Sequence, residues 1–348
     1  MQTRKLFGTD GMRGEAGLYP LDQETVFKFG KALGRLLQET NGAGQPQVIL
    51  GEDTRESSRW ISGTLSAGIR SAGTRLFYAG VVTTPGVAFL TRHHGFTAGV
   101  MVSASHNPYC DNGIKVFSNS GLKLSEAQEL EIERAIECDG APDGPCTQEE
   151  LSAEPEFLNE YVSYLCSMLP GSLRLPGAPL VVDCANGSAS RVVPLLIEQL
   201  GIEARILNAA PDGRNINSHC GSLFPAGMAR ETQATKAYLG IAFDGDADRA
   251  IFASSEGWIA DGDYVLYAVA PFYKRQQKLN GQTVVGTLMT NLGLEHALAR
   301  SSIALKRTAV GDRYVLEEML RGGYNLGGEP SGHVIFADLS LAGDGIIT

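Results

Sequence analysis

Three times along this chain, a short apolar run of strand length meets a glycine-, aspartate- or asparagine-containing turn and then a helix-period stretch. The first unit is Val48-Ile49-Leu50, the turn Gly51 to Arg55, and a helical pattern around Trp60 to Ile69. The second is Leu180-Val181-Val182, the turn Asp183 to Ser188, and Val192 to Leu200 closing before Gly201. The third is Thr283-Val284-Val285, the turn Gly286 to Asn291, and Leu292 to Ala299. Unbroken apolar runs suit strands buried on both faces, and a strand turning tightly into a helix is the repeating unit of layered α/β sheets. Recurrence at ~100–130 residues suggests three successive related α/β domains, although one large α/β sheet would also repeat such units.

Softer features set the boundaries. Stretches rich in Gly, Pro and Asp at 139–145 and 170–179 flank a helical pattern over 149–169, and Ser254-Ser255-Glu256-Gly257 is a second break. The expected domains are 1–155, 156–255 and 256–348. The final Asp344-Gly345-Ile346-Ile347-Thr348 reads as the start of a helix.

Charge and cysteines exclude several classes. Lys and Arg number 29 against 39 Asp and Glu, a net charge of −10, which argues against nucleic acid as a partner. No apolar run reaches the ~18 residues of a membrane span. No signal-peptide core develops at the start, so Asn186-Gly187-Ser188 gains little meaning as a glycosylation acceptor. The six cysteines (110, 138, 146, 166, 184 and 220) form no CxxC, which fits free thiols and a cytoplasmic protein.

Four segments carry chemistry. In the first, the apolar strand from Gly99 runs into Ser103-Ala104-Ser105-His106-Asn107-Pro108. Pro108 pushes Asn107 toward extended geometry and stops the strand. That would hold the Ser105 hydroxyl on a rigid turn at a strand end, where α/β sheets bind ligands. The plain alternative is a polar turn in which Ser105 caps something. Neighbours on extended backbone face opposite ways, so Ser105 and His106 are not expected to share a proton. Asp111-Asn112-Gly113-Ile114-Lys115 carries an Asn-Gly hairpin signal that would turn Lys115 back toward Ser105.

In the second, Leu239 to Phe243 precedes Asp244, Asp246 and Asp248, spaced to share one side of an extended backbone. Charges about 4 Å apart repel by about 4 kcal/mol per pair at an effective dielectric near 20. A solvated loop would splay them; a tight turn calls for a hard cation such as Mg²⁺. An EF-hand fails, because Arg249 and Ser255 stand where Gly and Glu are needed. Asp244 could instead accept phosphate, as in haloacid-dehalogenase-like phosphatases, although that pattern wants Thr or Val where Asp248 stands.

The third segment, Gly327-Gly328-Glu329-Pro330-Ser331-Gly332-His333, offers donors and acceptors to a polyhydroxylated ligand. The fourth, Phe7-Gly8-Thr9-Asp10-Gly11-Met12-Arg13-Gly14, brackets Arg13 with glycines that permit close approach to an anion. Val310-Gly311-Asp312-Arg313-Tyr314 adds a further Gly-Asp-Arg turn. Each of these alone is also an ordinary turn.

Taken together and in this order, the segments resemble the α-D-phosphohexomutase superfamily over nearly the whole chain. Ser-Ala-Ser-His-Asn-Pro resembles its phosphoserine loop, Asp-Gly-Asp-Ala-Asp-Arg its metal loop and Gly-Glu-Pro-Ser-Gly-His its sugar loop. Leu-Phe-Gly-Thr-Asp-Gly-Met-Arg-Gly, Tyr-Cys-Asp-Asn-Gly-Ile-Lys and Val-Gly-Asp-Arg-Tyr-Val are most similar to the bacterial phosphoglucosamine mutases. The resemblance implies three α/β domains with mixed sheets and an active-site cleft between domains. It implies an isomerase converting glucosamine 6-phosphate to glucosamine 1-phosphate through a sugar bisphosphate, for UDP-N-acetylglucosamine and peptidoglycan synthesis. Glucose or mannose phosphates are the alternative substrates, and a non-catalytic module is the alternative role. By the resemblance Ser105 bears the phosphoryl group, and Asp244, Asp246 and Asp248 bind Mg²⁺ together with it. Arg13, His106, Lys115 and Arg249 surround the transferring group, while Glu329, Ser331, His333, Asp312 and Arg313 hold the substrate. A small phosphosugar is the expected partner, and a homodimer is left open. The superfamily has a fourth, C-terminal domain that anchors the other phosphate; this chain stops before it, and Pro330 stands where relatives often carry another residue.

Overall fold

The computed structural model describes residues 6–8, 10–40, 42, 44–139, 148–169 and 178–348. Thr9, Cys146 and most of both Gly/Pro-rich stretches lie outside the described residues. The chain forms two compact units, Met1–Tyr164 with Ala210–Ile216, and Leu165–Ala209 with Asn217–Thr348.

In the first unit the elements run β1 (Phe7–Gly8), β2 (Gly11–Glu15), α1 (Gln23–Thr40), β3 (Gln47–Glu52), α2 (Glu56–Ser71), β4 (Arg75–Val81), α3 (Thr84–His94), β5 (Ala98–Val102), β6 (Asp111–Ser118), α4 (Glu126–Cys138) and α5 (Pro155–Ser167), the last running across the unit boundary. The sheet order is β1-β2-β6-β5-β3-β4. β3 pairs parallel with β4 and β5, and the pairs β5–β6, β2–β6 and β1–β2 are antiparallel. The sheet is therefore mixed. Val48, Leu50, Val100 and Val102 from the sheet pack with Phe29, Leu33, Ile61 and Leu65 from α1 and α2 in one core. Those two helices approach through glycine: a Cβ at Gly30 would sit 2.4 Å from the Leu65 carbonyl oxygen, and one at Gly68 2.3 Å from that of Phe27. All five residues of β5 are buried, so the loop that follows starts from a rigid strand.

Two sequence expectations fail here. The helical pattern over 149–169 becomes a helix only at Pro155, which has the fixed φ a first helical residue needs. Before it the chain is tied down, Glu149 N donating to Gly63 O at 3.2 Å and Glu154 N to Tyr78 O at 2.9 Å. Asn112-Gly113 is not a hairpin turn but lies near the start of β6, paired with Gly14 and Arg13 of β2, and Gly113 O also accepts from Ser103 N at 2.9 Å. The Asn112 side chain is buried and donates to Ser57 Oγ at 2.9 Å and Ser58 Oγ at 3.0 Å. A Cβ at Gly113 would meet the Ser103 carbonyl oxygen at 2.7 Å, so glycine is needed there for close approach rather than for a turn.

In the second unit, β7 (Leu180–Asp183), α6 (Ala189–Leu200), β8 (Ala204–Leu207), α7 (Ala226–Thr235), β9 (Leu239–Phe243), β10 (Ala250–Ser254) and β11 (Ile259–Ala260) precede α8 (Gly262–Arg275), β12 (Thr283–Thr287), α9 (Leu292–Arg300), β13 (Ala304–Thr308), α10 (Asp312–Gly322), β14 (Leu326–Gly328) and β15 (Val334–Phe336). They build two further sheets, ordered β11-β10-β9-β7-β8 and β13-β12-β14-β15. Both are mixed: β8, β7 and β9 run parallel, β10 is antiparallel to β9 and β11 to β10, and β13, β12 and β14 run parallel with β15 antiparallel. The two sheets are joined by backbone bonds, Ala250 N to Gly332 O at 3.1 Å and Gly345 N to Ala247 O at 3.0 Å. The helix start expected at 344–348 is only a turn, in which Asp344 Oδ1 accepts from Ile346 N and Ile347 N at 2.9 and 3.1 Å.

Candidate active site

The serine loop hangs from the end of β5. Ser103 N donates to Gly113 O at 2.9 Å, and Ser103 Oγ accepts from Ser105 N at 2.9 Å. Asn107 N then closes a turn onto Ala104 O at 3.1 Å. Ser105 lies in the left-handed region, φ +52°. The extended backbone expected of Ser105 and His106 is thus replaced by a turn, and the alternation argument fails with it. The Ser105 hydroxyl oxygen lies 3.4 Å from His106 Nδ1.

Two guanidinium groups hold this turn by its carbonyls. Arg55 is wholly buried and paired with Asp53, and it donates to Ser105 O at 3.1 Å and Asn107 O at 2.7 Å. Arg13 donates to Ala104 O at 3.3 Å. Left-handed serine is sparsely populated, and persists where surroundings over-determine it. Arg55 was missed in the sequence because Gly51 to Arg55 read as a connector; the signal present was an Asp-x-Arg pair following a buried strand.

Arg13 also belongs to a cationic cluster around Asp10. Lys115 Nζ lies 3.1 Å from Asp10 Oδ2, and Lys123 and Arg13 contact the same carboxylate. Burial raises the Asp10 pKa, but Lys115, Lys123 and Arg13 outweigh it and hold the group well below the usual carboxylate range. Three cationic groups thus converge on one carboxylate beside the turn that Arg13 holds. Lys115 is 1% exposed, so this charge is preorganised rather than solvated. Lys115 reaches the cluster from a strand, not from the hairpin expected for it.

In the second unit, Asp244, Asp246 and Asp248 follow β9 in a tight turn that Ala247 enters with φ +57°, not on extended backbone. Their carboxylate oxygens nevertheless lie within 4.8 Å of one another, and all three residues are buried. Like charges gathered out of water at this spacing, with only hard oxygen donors, fit a Mg²⁺-class ion. The turn is braced from three sides. Ser188 N donates to Gly245 O at 2.8 Å, and Gly187 packs so closely that a Cβ would meet that oxygen at 2.2 Å. Ser222 N donates to Phe243 O at 2.8 Å. Asp183 ties the two braces together, accepting from Ala185 N at 2.9 Å and Gly221 N at 3.0 Å. The turn Asp183 to Ser188 reads in the sequence only as a strand-to-helix connector.

The loop from Glu329 to His333 folds over the same region. Glu329 N donates to His333 O at 2.9 Å, and Glu329 Oε1 accepts from Gly311 N at 3.0 Å. His333 Nδ1 lies 3.8 Å from Asp248 Oδ1, and its Nε2 lies 3.9 Å from Asp312 Oδ2. Burial lowers the His333 pKa, but Asp248, Asp312 and Glu329 outweigh it, so the imidazole titrates above its ordinary value. Arg249 Nε lies 3.9 Å from Asp248 Oδ1, and Arg249 N donates to Asp244 Oδ1 at 3.2 Å. Ser331 Oγ is buried without a hydrogen-bond partner among the described residues, a hydroxyl available to a ligand. Asp312 opens α10 and accepts from Arg313 N at 2.8 Å. The fold thus brings Asp248, Arg249, Asp312, Glu329 and His333 together from three separate loops.

Comparison with known proteins points one way. Residues 4–141, 159–257 and 261–348 match, in order, Phosphoglucomutase/phosphomannomutase alpha/beta/alpha domains I, II and III. The phosphoglucosamine mutase of Solibacter usitatus is 49% identical over 346 residues, covering 99% of this chain and 76% of that protein. That of Koribacter versatilis is 47% identical over 357 residues, with the same two coverages. The crystal structure of a Phosphoglucomutase/phosphomannomutase family protein from Burkholderia thailandensis superposes with a TM-score of 0.80 at 26% identity, over 97% of this chain and 74% of that one.

Proposed function

The chain belongs to the phosphoglucomutase/phosphomannomutase family, and from that premise we propose that it interconverts glucosamine 6-phosphate and glucosamine 1-phosphate through phospho-Ser105 and a hexose bisphosphate. The observation that carries the sugar assignment is identity of 47–49% across 99% of the chain to relatives named phosphoglucosamine mutase. The match of 159–257 to domain II also removes the ground for an aspartyl-phosphatase reading of Asp244.

Phosphoryl transfer asks for in-line positioning and charge neutralisation more than for covalent activation. The Ser105 hydroxyl is held on a turn clamped by Arg55 and Arg13. His106 Nδ1 lies beside it at 3.4 Å, a contact that has to tighten before it can take the hydroxyl proton. Arg13 and Lys115 offset the charge that a phosphoryl group brings to this loop, about −2 at neutral pH. Asp244, Asp246 and Asp248 would hold Mg²⁺, which supplies neutralisation of phosphoryl oxygens and a template for their orientation. Arg249, fixed among these carboxylates, adds a positive charge at the same loop. Glu329, Ser331 and His333 present acceptors and donors to sugar hydroxyls, with Asp312 and Arg313 at the start of α10 beside them. The hexose bisphosphate serves as intermediate and as the activator that loads Ser105.

The five described cysteines are free, and among the described residues no helix is long and apolar enough to cross a membrane. The reading keeps the chain as a cytoplasmic enzyme of small phosphosugars, with a homodimer left open. Turnover of glucosamine, glucose and mannose 6-phosphates, with Mg²⁺ and a hexose 1,6-bisphosphate, tests the assignment. Glucosamine 6-phosphate is expected to exceed the others in kcat/KM at least about tenfold. Equal rates, or preference for glucose or mannose phosphate, would reject the sugar; no turnover of any would reject the activity of this chain.

A further inference from the structure

Away from that chemistry, the C-terminal end of α3 carries His93 and His94, and Gly95 closes the helix in the left-handed conformation. Glu160 approaches from α5. His94 Nε2 lies 2.5 Å from Glu160 Oε2, and one ligand atom from each of His93, His94 and Glu160 lies within 4.8 Å of the others. Aromatic neighbours fix both imidazoles. His93 stacks on Phe89 at 5.1 Å and 18°, and Phe89 stacks on Tyr164 at 4.1 Å and 19°. His94 meets Phe96 at 5.3 Å and the edge of Phe157 at 5.4 Å and 88°. The two imidazoles stand at 89° to each other with centroids 5.2 Å apart.

We propose that His93, His94 and Glu160 form a surface site for a divalent transition-metal ion of the zinc class, clamping α3 to α5. Two imidazole nitrogens and one carboxylate oxygen are a borderline donor set that selects Zn²⁺, Co²⁺ or Ni²⁺ over Mg²⁺. The all-oxygen triplet at Asp244 to Asp248 has the opposite preference, so one chain presents two chemically distinct sites. A tetrahedral ion with bonds near 2.1 Å sets its ligands about 3.4 Å apart; here the three ligand atoms all lie within 4.8 Å of one another, with His94 Nε2 and Glu160 Oε2 at 2.5 Å. Small side-chain rotations therefore complete the geometry. The negative end of the α3 dipole adds attraction for a cation. Three protein ligands leave a fourth position to water.

The test uses the whole chain with excess Mg²⁺ to occupy the carboxylate triplet, and Zn²⁺ as titrant. Imidazole ¹⁵N resonances of His93 and His94 are expected to shift together on saturation, and the Tm to rise with Zn²⁺, since the ion binds the folded pair of helices. His93→Ala, His94→Ala and the isosteric Glu160→Gln should each weaken Zn²⁺ at least about tenfold and remove the Tm rise, with mutase turnover unchanged. Unshifted His93 and His94 resonances would overturn the proposal without any variant. So would zinc affinity that survives His94→Ala, or that disappears in Cys110→Ser or Cys138→Ser, since both thiols are exposed.

Discussion

Arg55 donates from its buried guanidinium to the carbonyl oxygen of Ser105 at 3.1 Å, although the two residues are 50 apart in sequence. The Ser105 backbone is therefore held by a charged group whose own partner, Asp53, is equally buried. Local sequence around Ser105 cannot impose its positive φ; the tertiary clamp does.

Removing that clamp should be expensive. Arg55→Ala leaves Asp53 buried and uncompensated, and is expected to destabilise the chain by about 3 kcal/mol or more. Arg55→Lys keeps the charge but loses the planar fork, and should recover only part of this. Urea unfolding measures both; an alanine variant within about 0.5 kcal/mol of the parent would contradict the clamp.

Asp10 gives a pH prediction with a definite sign. Its folded pKa lies well below its unfolded value, so its contribution to stability is complete above about pH 3.9 and is lost as pH falls toward the folded value. Asp10→Asn should be less stable than the parent at pH 7, with the gap closing only in strong acid. A gap that is the same at pH 7 and pH 2 would show that the Lys115, Lys123 and Arg13 contacts do not act through charge.

The aspartate triplet predicts a crossing. Without metal, Asp246→Asn relieves repulsion between buried carboxylates and should raise Tm. With saturating Mg²⁺ the same variant should melt below the parent and bind Mg²⁺ at least about tenfold more weakly. Melting in EDTA and in Mg²⁺ reads both arms; a variant less stable under both conditions would mean that the triplet is held by the protein alone.

Gly187 tests the brace beneath that turn. A Cβ there would lie 2.2 Å from the Gly245 carbonyl oxygen and 2.7 Å from its carbon, backbone that cannot rotate away. Gly187→Ala should cost about 1–3 kcal/mol and weaken Mg²⁺ binding. Isothermal titration of Mg²⁺ into the folded variant separates the two effects, and undiminished affinity would break the link between brace and metal turn.

Much of this was legible in the letters. The apolar runs at Val48, Leu180 and Thr283 became β3, β7 and β12, and the helices after them start and stop near the residues their periodicity marks. The Asp, Ser-His and Glu-Pro-Ser-Gly-His loops all fall at strand ends. Non-local effects were not legible. Asn112-Gly113 carries a turn signal, yet pairing with β2 and buried bonds to Ser57 and Ser58 draw it into a strand. Asp10 and Lys123 are 113 residues apart and meet only in the fold. The positive φ of Ser105 and Ala247 comes from surrounding contacts rather than from residue type.

In the proposed function Ser105 carries the phosphoryl group. Incubation with a hexose 1,6-bisphosphate and Mg²⁺, followed by peptide mass spectrometry, tests it directly. A gain of one phosphoryl group on the peptide containing Ser105 is expected, together with loss of at least about 1,000-fold in turnover for Ser105→Ala. Phosphate on another residue, or normal turnover in Ser105→Ala, would contradict the account.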